Sequence, residues 1–295
     1  MSKFALIGAA GYIAPRHMKA IQDTGNELVA AMDISDSVGV LDSYFPQAQF
    51  FTEFERFERH LEKLRRNGEG IDFLTVCTPN YLHDSHTRCG IRLGANVICE
   101  KPVVIKPKNL VALSDLAKHW NKKIYSITQM RLHPVVKQIR EMMARKAGIR
   151  GYTHYVEIKY AAPRGDWYTY SWKSDEKKSG GLIYNLGIHL LDLVIFLFGP
   201  LFEGHTVKWL SPHTVEGEVY LSKARIKWFL STIGQAKKLM VVDGEEYDLS
   251  SGFEDLHTKC YESILSGDDL FDMNSSYNAI KLADELHTNM GKELR

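Results

Sequence analysis

Along the first 130 residues, short apolar runs alternate with longer amphipathic stretches; the runs cover residues 4–9, 28–32, 73–77, 97–99 and 124–128. Runs this short and this uniformly apolar suit strands of a parallel sheet buried on both faces. Between them, residues 15–24, 53–66, 84–93 and 108–120 carry helical patterning. The alternation predicts an α/β, doubly wound Rossmann domain over residues 1–130. Lys63-Leu64-Arg65-Arg66 falls at the end of one of these helices, where cations offset the negative end of the dipole. It reads as a solvated helix end, not as a nucleic-acid patch.

Beyond residue 130 the rhythm changes. A helix over 134–146 leads into 152–160, whose period of two suits a half-buried strand, and a second helix covers 181–198. Strand patterning returns at 206–210, 216–222, 224–232 and 239–249, with Asp243-Gly244 as a hairpin signal inside the last of these. Helices over 253–266 and 276–289 close the chain. Residues 131–295 are therefore expected to form an α+β domain with a largely antiparallel sheet.

Composition narrows the partners. With 37 basic and 36 acidic side chains the formal charge is +1, which argues against nucleic acid or a membrane as a whole-protein electrostatic partner. Cys77, Cys89, Cys99 and Cys260 form no C-x-x-C pair and read as reduced thiols of a cytoplasmic enzyme. Neither a signal peptide nor a transmembrane helix is indicated. His83-Asp84-Ser85-His86 offers two imidazoles without an H-E-x-x-H pattern or a cysteine cluster, so no catalytic metal is expected.

The first apolar run ends in Gly8-Ala9-Ala10-Gly11-Tyr12-Ile13-Ala14 and a helix follows. A glycine-rich turn lets the backbone approach a pyrophosphate, and the helix N-terminus offers free N–H groups and a favourable dipole. Gly8, Ala10, Gly11, Tyr12 and Ile13 are the candidate contacts. The spacing departs from G-x-G-x-x-G: two residues separate the glycines and Ala14 takes the third small position. Asp33 ends the second run, 22 positions after Gly11, near the separation at which an acid reaches the ribose hydroxyls. A carboxylate there repels a ribose phosphate, so NAD is favoured over NADP. His83 and Gln129, near strand ends, are placed to line the nicotinamide pocket.

Two further stretches carry a family likeness. Cys77-Thr78-Pro79-Asn80-Tyr81-Leu82-His83, with Gly94-Ala95-Asn96-Val97-Ile98-Cys99-Glu100-Lys101-Pro102, resembles the signature of the Gfo/Idh/MocA oxidoreductases. Ser179-Gly180-Gly181-Leu182-Ile183-Tyr184-Asn185-Leu186-Gly187-Ile188-His189 resembles that family's other signature, a glycine-rich entry to a helix carrying a histidine. The likeness implies NAD as cofactor, Thr78, Pro79, Asn80, Glu100 and Lys101 among its contacts, and a homo-oligomer, a tetramer being favoured. Pro163-Arg164-Gly165-Asp166-Trp167-Tyr168, with Ser171-Trp172-Lys173, is similar to the bacterial branch that oxidises UDP-N-acetylglucosaminuronate at C3. In that branch the keto sugar feeds diaminouronic acids of surface polysaccharide. Whether NADH leaves or is recycled in place by a 2-oxo acid stays open.

Oxidising a secondary alcohol needs a hydride acceptor, removal of the hydroxyl proton and stabilisation of the alkoxide. Lys101 follows a predicted strand at the carboxyl edge of the sheet, where an ammonium can bond the reacting oxygen; the resemblance assigns it that catalytic role. His189 lies four residues after Asn185 on a predicted helix, and an imidazole base contributes about 3–5 kcal/mol of barrier lowering. Asp192 either orients His189 or belongs to a separate ion pair. Many relatives carry aspartate where this chain has Asn185, which keeps the hydrogen-bonding role and loses the charge that would raise the histidine pKa. Arg131, Arg164 and Lys173 are candidate anchors for an anionic sugar, Arg164 first among them. Trp167, Tyr168 and Trp172 would line the sugar or the base, with Lys101, Asn185 and His189 at the reacting end. An inositol or free-sugar dehydrogenase, and a non-catalytic dinucleotide-binding regulator, are the alternatives. A pure binder needs neither Lys101 nor His189.

Overall fold

The computed structural model describes residues 1–293 apart from 147 and 150. In chain order it opens with β1 (Lys3–Ile7), α1 (Ala14–Asp23), β2 (Glu27–Met32), α2 (Val40–Tyr44), β3 (Gln49–Phe51) and α3 (Phe54–Arg66). Then come β4 (Phe73–Val76), α4 (His83–Arg92), β5 (Asn96–Cys99), α5 (Pro107–His119) and β6 (Ile124–Ser126). The six strands are all parallel, in the order β3-β2-β1-β4-β5-β6. The order reverses between β1 and β4, and doubly wound sheets bind ligands beyond the strand ends at such a point. Phe4, Ala5, Leu6 and Ile7 of β1 are all but inaccessible, as the uniformly apolar run requires. The three-residue β3 and the five-residue α2 had no counterpart in the sequence pattern. Both are too short to show a period.

The chain continues through α6 (Pro134–Lys146), β7 (His154–Ala161), α7 (Trp167–Tyr170) and α8 (Glu176–Ser179) to a π-helical turn, Ile183–Gly187, and α9 (Ile188–Phe198). Next are β8 (Leu201–Ser211), β9 (Thr214–Leu221), β10 (Ala224–Ser231), β11 (Lys237–Val242) and β12 (Glu245–Asp248). These make a second six-stranded sheet, ordered β12-β11-β7-β10-β9-β8. Only the β7–β10 pairing is parallel; β8–β9, β9–β10, β7–β11 and β11–β12 are antiparallel. The burial of β7 alternates strictly over its first six residues, the mark of a sheet with one covered face. Asp243 and Gly244, both at positive φ (52° and 90°), turn β11 into β12.

Two helices end the chain, α10 (Leu256–Leu265) and α11 (Tyr277–Glu293). The chain divides into two units: Met1–Gln129 with Asp255–Tyr277, and Met130–Glu254 with Asn278–Arg295. This differs in one segment from a division into 1–130 and 131–295. Leu256, Cys260 and Ile264 form one buried stripe of α10, His257 and Tyr261 extend it, and the helix packs on α1. An apolar stripe at helical spacing says that a helix is covered, not by which sheet.

The run Glu176–Phe198 is long and apolar enough to cross a membrane by count alone, yet 72% of that window is buried inside the fold. That is how a core helix of a folded domain reads. The basic end of α3 lies as expected, with Arg65 bonded to Glu62 at 2.7 and 2.8 Å. Cys77, Cys89, Cys99 and Cys260 form no disulfide, and burial holds the Cys89 pKa up at about 11.

Candidate active site

In the first unit the turn after β1 lies at the switch point. Gly8 takes φ +94°, and a Cβ there would come within 2.6 Å of the Cys77 carbonyl carbon. Only glycine permits that approach of the turn to the end of β4. The N-terminus of α1 has no side-chain cap and no acid in its first turn, so the positive end of its dipole faces the turn unneutralised, although the Ala14 and Arg16 N–H groups already bond the Gly11 and Ile13 carbonyls. Asp33 closes the turn: its Oδ2 accepts from the Ala10 N–H and its Oδ1 from the Ser35 N–H, both at 3.0 Å. Tyr12 is 82% exposed beside the turn. Buried Gln129 has an Oε1 with no hydrogen-bond partner, an acceptor awaiting a donor. The uncapped helix, the Asp33 carboxylate and this orphaned oxygen fit a dinucleotide.

The edge of the sheet beyond β4 and β5 is tied together internally. His83 is 1% exposed, with Nδ1 2.7 Å from the Pro102 carbonyl and Nε2 2.6 Å from that of Thr78. Burial lowers its pKa, and a neutral ring donates its single N–H to one of these two carbonyls at a time. Thr78 also bonds His86 Nδ1 at 3.0 Å, and burial brings the His86 pKa down to about 4. Pro79 is half-buried and Asn80 buried in the same turn. Glu100 is 6% exposed and faces His17 Nε2 at 3.0 Å and His257 Nε2 at 3.3 Å. Expected on the cofactor, His83 and Glu100 instead turn their polar atoms to protein partners and shape the edge from within. Lys101, between buried Glu100 and buried Pro102, is the partly exposed residue of the three; the peptide joining it to Pro102 is cis.

In the second unit, the expected α-helix over 181–198 begins as the π-helical turn Ile183–Gly187, which shifts the register between Asn185 and His189. A Cβ on Gly187 would lie 2.8 Å from Leu230 Cδ1, so glycine lets this turn sit against β10. Across residues 182–194 every position is buried except Asn185 and His189. Two polar residues are thus the accessible points of that stretch. Asn185 Nδ2 donates to the Tyr168 hydroxyl at 2.9 Å. Burial raises the Tyr168 pKa, keeping the phenol protonated.

The loop around α7 carries the remaining candidates. Arg164 is exposed, and its backbone N–H donates to the Thr232 carbonyl at 2.9 Å. Lys173 Nζ lies 5.4 Å from the centre of the Trp167 ring and 5.8 Å from that of Trp172. Desolvation, then Arg164, lowers its pKa. Tyr168 and Lys173, with Glu176, Leu182, Trp209 and His287, line a cavity of about 320 Å³ within this unit. Arg131 stands apart from these residues. Its side chain is 3% exposed, and Nε and Nη2 grip Asp192 at 2.9 and 2.5 Å. The expected anchor for an anionic ligand is instead half of a buried ion pair. Asp192 is the other half of that ion pair, 2% exposed.

The strand order, the turn and the acid after β2 define a dinucleotide-binding Rossmann domain. Residues 2–128 match the Gfo/Idh/MocA oxidoreductase family's NAD-binding Rossmann fold, and residues 148–208 match its C-terminal alpha/beta domain. The WlbA (WbpB) dehydrogenase of Thermus thermophilus, solved with NAD and alpha-ketoglutarate, is 41% identical, with a TM-score of 0.93 over 98% of this chain and 95% of its own. The same enzyme solved with NAD and UDP-GlcNAcA superposes with a TM-score of 0.92 over 97% and 95%. The chain belongs to the Gfo/Idh/MocA oxidoreductase family. D-glucoside 3-dehydrogenase of Escherichia coli is 26% identical over 206 residues, 67% of this chain and 54% of that protein. The chain thus spans about half the length of the curated relatives it matches.

Proposed function

We propose that this protein is an NAD-dependent dehydrogenase that oxidises the C3 hydroxyl of UDP-N-acetylglucosaminuronate to the ketone. The observation that carries the reading is the pair of accessible polar residues, Asn185 and His189, on the covered helix. Its companion is Lys101 at the carboxyl edge of a sheet whose turn fits the dinucleotide. Bound NAD supplies the hydride acceptor. His189 takes the hydroxyl proton as the C3–H bond breaks and C=O forms, and Lys101 stabilises the developing alkoxide charge. Asn185, braced by Tyr168, orients the sugar by hydrogen bonding.

The substrate follows from the likeness to the Thermus enzyme, which was solved with UDP-GlcNAcA. Arg164 and Lys173 supply positive charge for a sugar acid with a diphosphate, and Trp167, Tyr168 and Trp172 supply aromatic surface. The complex of that enzyme with alpha-ketoglutarate supports a 2-oxo acid as the species that re-oxidises NADH. Tyr155 on β7 and Phe202 on β8, 67% and 71% exposed, support a homo-oligomer. Cytoplasmic placement and supply of a keto sugar for surface polysaccharide complete the proposal.

The test is a pair of variants. Lys101→Ala and His189→Ala should keep NAD affinity within about twofold and lower kcat by about 10²-fold or more, the range of general acid–base and electrostatic contributions. Full turnover in either variant would reject its role. Reduction of NAD with simple polyols but not with the UDP-sugar would favour a free-sugar dehydrogenase.

A further inference from the structure

Behind Lys101 lies a buried polar network that the chemistry above does not use. Glu100 Oε1 faces His17 Nε2 at 3.0 Å and His257 Nε2 at 3.3 Å, while the Lys101 N–H donates to Glu100 Oε2 at 3.2 Å. His17 Nδ1 lies 2.9 Å from the Tyr261 hydroxyl, which lies 3.0 Å from Thr75 Oγ1. His17 and Tyr261 are inaccessible, His257 is 4% exposed, and the Tyr261 ring stacks on Phe4 at 5.9 Å.

The order of donors follows from charge. The two imidazoles offset the burial of Glu100 and hold its pKa well below the usual carboxylate range, and burial lowers that of His17. A neutral His17 that donates from Nε2 must accept at Nδ1. The hydroxyls therefore line up from Thr75 to Tyr261 to His17, and the imidazoles of His17 and His257 both donate to Glu100. A carboxylate with its acceptor sites filled this way is fixed in one rotamer. On the other side of Lys101, His83 holds the Pro102 carbonyl at 2.7 Å.

We propose that Glu100 is the positioning residue for Lys101, with His17 and His257 fixing its carboxylate and Tyr261 fixing the tautomer of His17. Because α10 brings in both His257 and Tyr261, the returning segment completes the support of the lysine. The inference rests on the proposed role of Lys101.

Glu100→Gln tests it. The amide oxygen can still accept from both imidazoles, but the amide NH₂ then meets the Lys101 N–H, donor against donor. We expect kcat to fall about 10–100-fold, the scale of a lost charge-assisted hydrogen bond, with NAD affinity unchanged. Added to Lys101→Ala, the substitution should cause no further loss, because it acts through the lysine. Tyr261→Phe, which keeps the ring and removes the donor to His17, should follow the same pattern at about 3–10-fold, and serves where Glu100→Gln does not fold. Wild-type kcat in both variants, or losses that multiply with that of Lys101→Ala, would overturn the positioning role alone. Full turnover in Lys101→Ala itself would overturn the catalytic reading beneath it.

Discussion

Replacing Asp192 with alanine leaves the Arg131 guanidinium in the second unit without its carboxylate. The two side chains are 3% and 2% exposed and joined by two hydrogen bonds, so neither charge has bulk water to fall back on. Removing one partner of such a pair costs about 3–5 kcal/mol, because the group that balanced the other's buried charge is gone. Phe196 offers little relief: its ring lies 5.3 Å from the Arg131 guanidinium and is already faced by Arg140 at 4.2 Å. At a urea slope of about 2 kcal/mol per molar, the loss moves the unfolding midpoint down by roughly 2 M. Replacing both partners, Arg131→Met with Asp192→Leu, removes the charges together and should restore most of the midpoint. The folded double variant should bind the UDP-sugar with an unchanged KM. A midpoint shift under about 0.3 M for Asp192→Ala, below 1 kcal/mol at that slope, would refute the ion-pair reading. A tenfold rise in KM for the double variant would return Arg131 to the substrate.

Three further outcomes follow from the same contacts. Asp243, 7% exposed, accepts from Lys146, His154 and the Tyr155 N–H, and these lower its pKa from 3.8 to about 2. A depressed carboxylate stabilises the fold above its unfolded pKa and ceases to do so as pH falls through its folded value. Asp243→Asn should therefore cost about 2 kcal/mol at neutral pH, and its urea midpoint should converge with that of the wild type near pH 2. Tyr168→Phe removes the acceptor for Asn185 and should lower kcat/KM about fivefold in steady-state assays; an unchanged value would show that Asn185 needs no brace. Asp33→Ala frees the Ala10 and Ser35 N–H groups and removes the ribose acceptor, so calorimetry should show NAD binding at least about tenfold weaker, with NADP less disfavoured.

The parts of this molecule written in local pattern were legible from its residues. β1, β4 and β5 announce themselves as short, predominantly apolar runs, and Asp243-Gly244 marks its hairpin because only a few residues tolerate two positive φ angles in succession. Lys101, Asn185 and His189 stood out through motif likeness alone, and Asn185 and His189 are half-buried among buried neighbours. What escaped was nonlocal. His17 and His257 are 240 positions apart and meet only because α10 packs on α1, and no spacing rule links them. Arg131 looked like a free cation because a sequence shows charge but not partner; Asp192, 61 positions on, supplies it. The π-helical turn before α9 was hidden because one extra residue in a turn leaves the hydrophobic period almost intact.

The central claim is that hydride leaves C3 of a UDP-sugar acid for NAD on this protein. It is tested most directly with UDP-N-acetylglucosaminuronate deuterated at C3, incubated in a single turnover with enzyme and NAD and followed by mass spectrometry of both products. The account predicts a 3-keto sugar lacking the label and reduced nicotinamide carrying one deuterium, both formed about 10²-fold or more slowly by Lys101→Ala and His189→Ala. Unlabelled NADH, or recovered sugar with its deuterium in place, would contradict it.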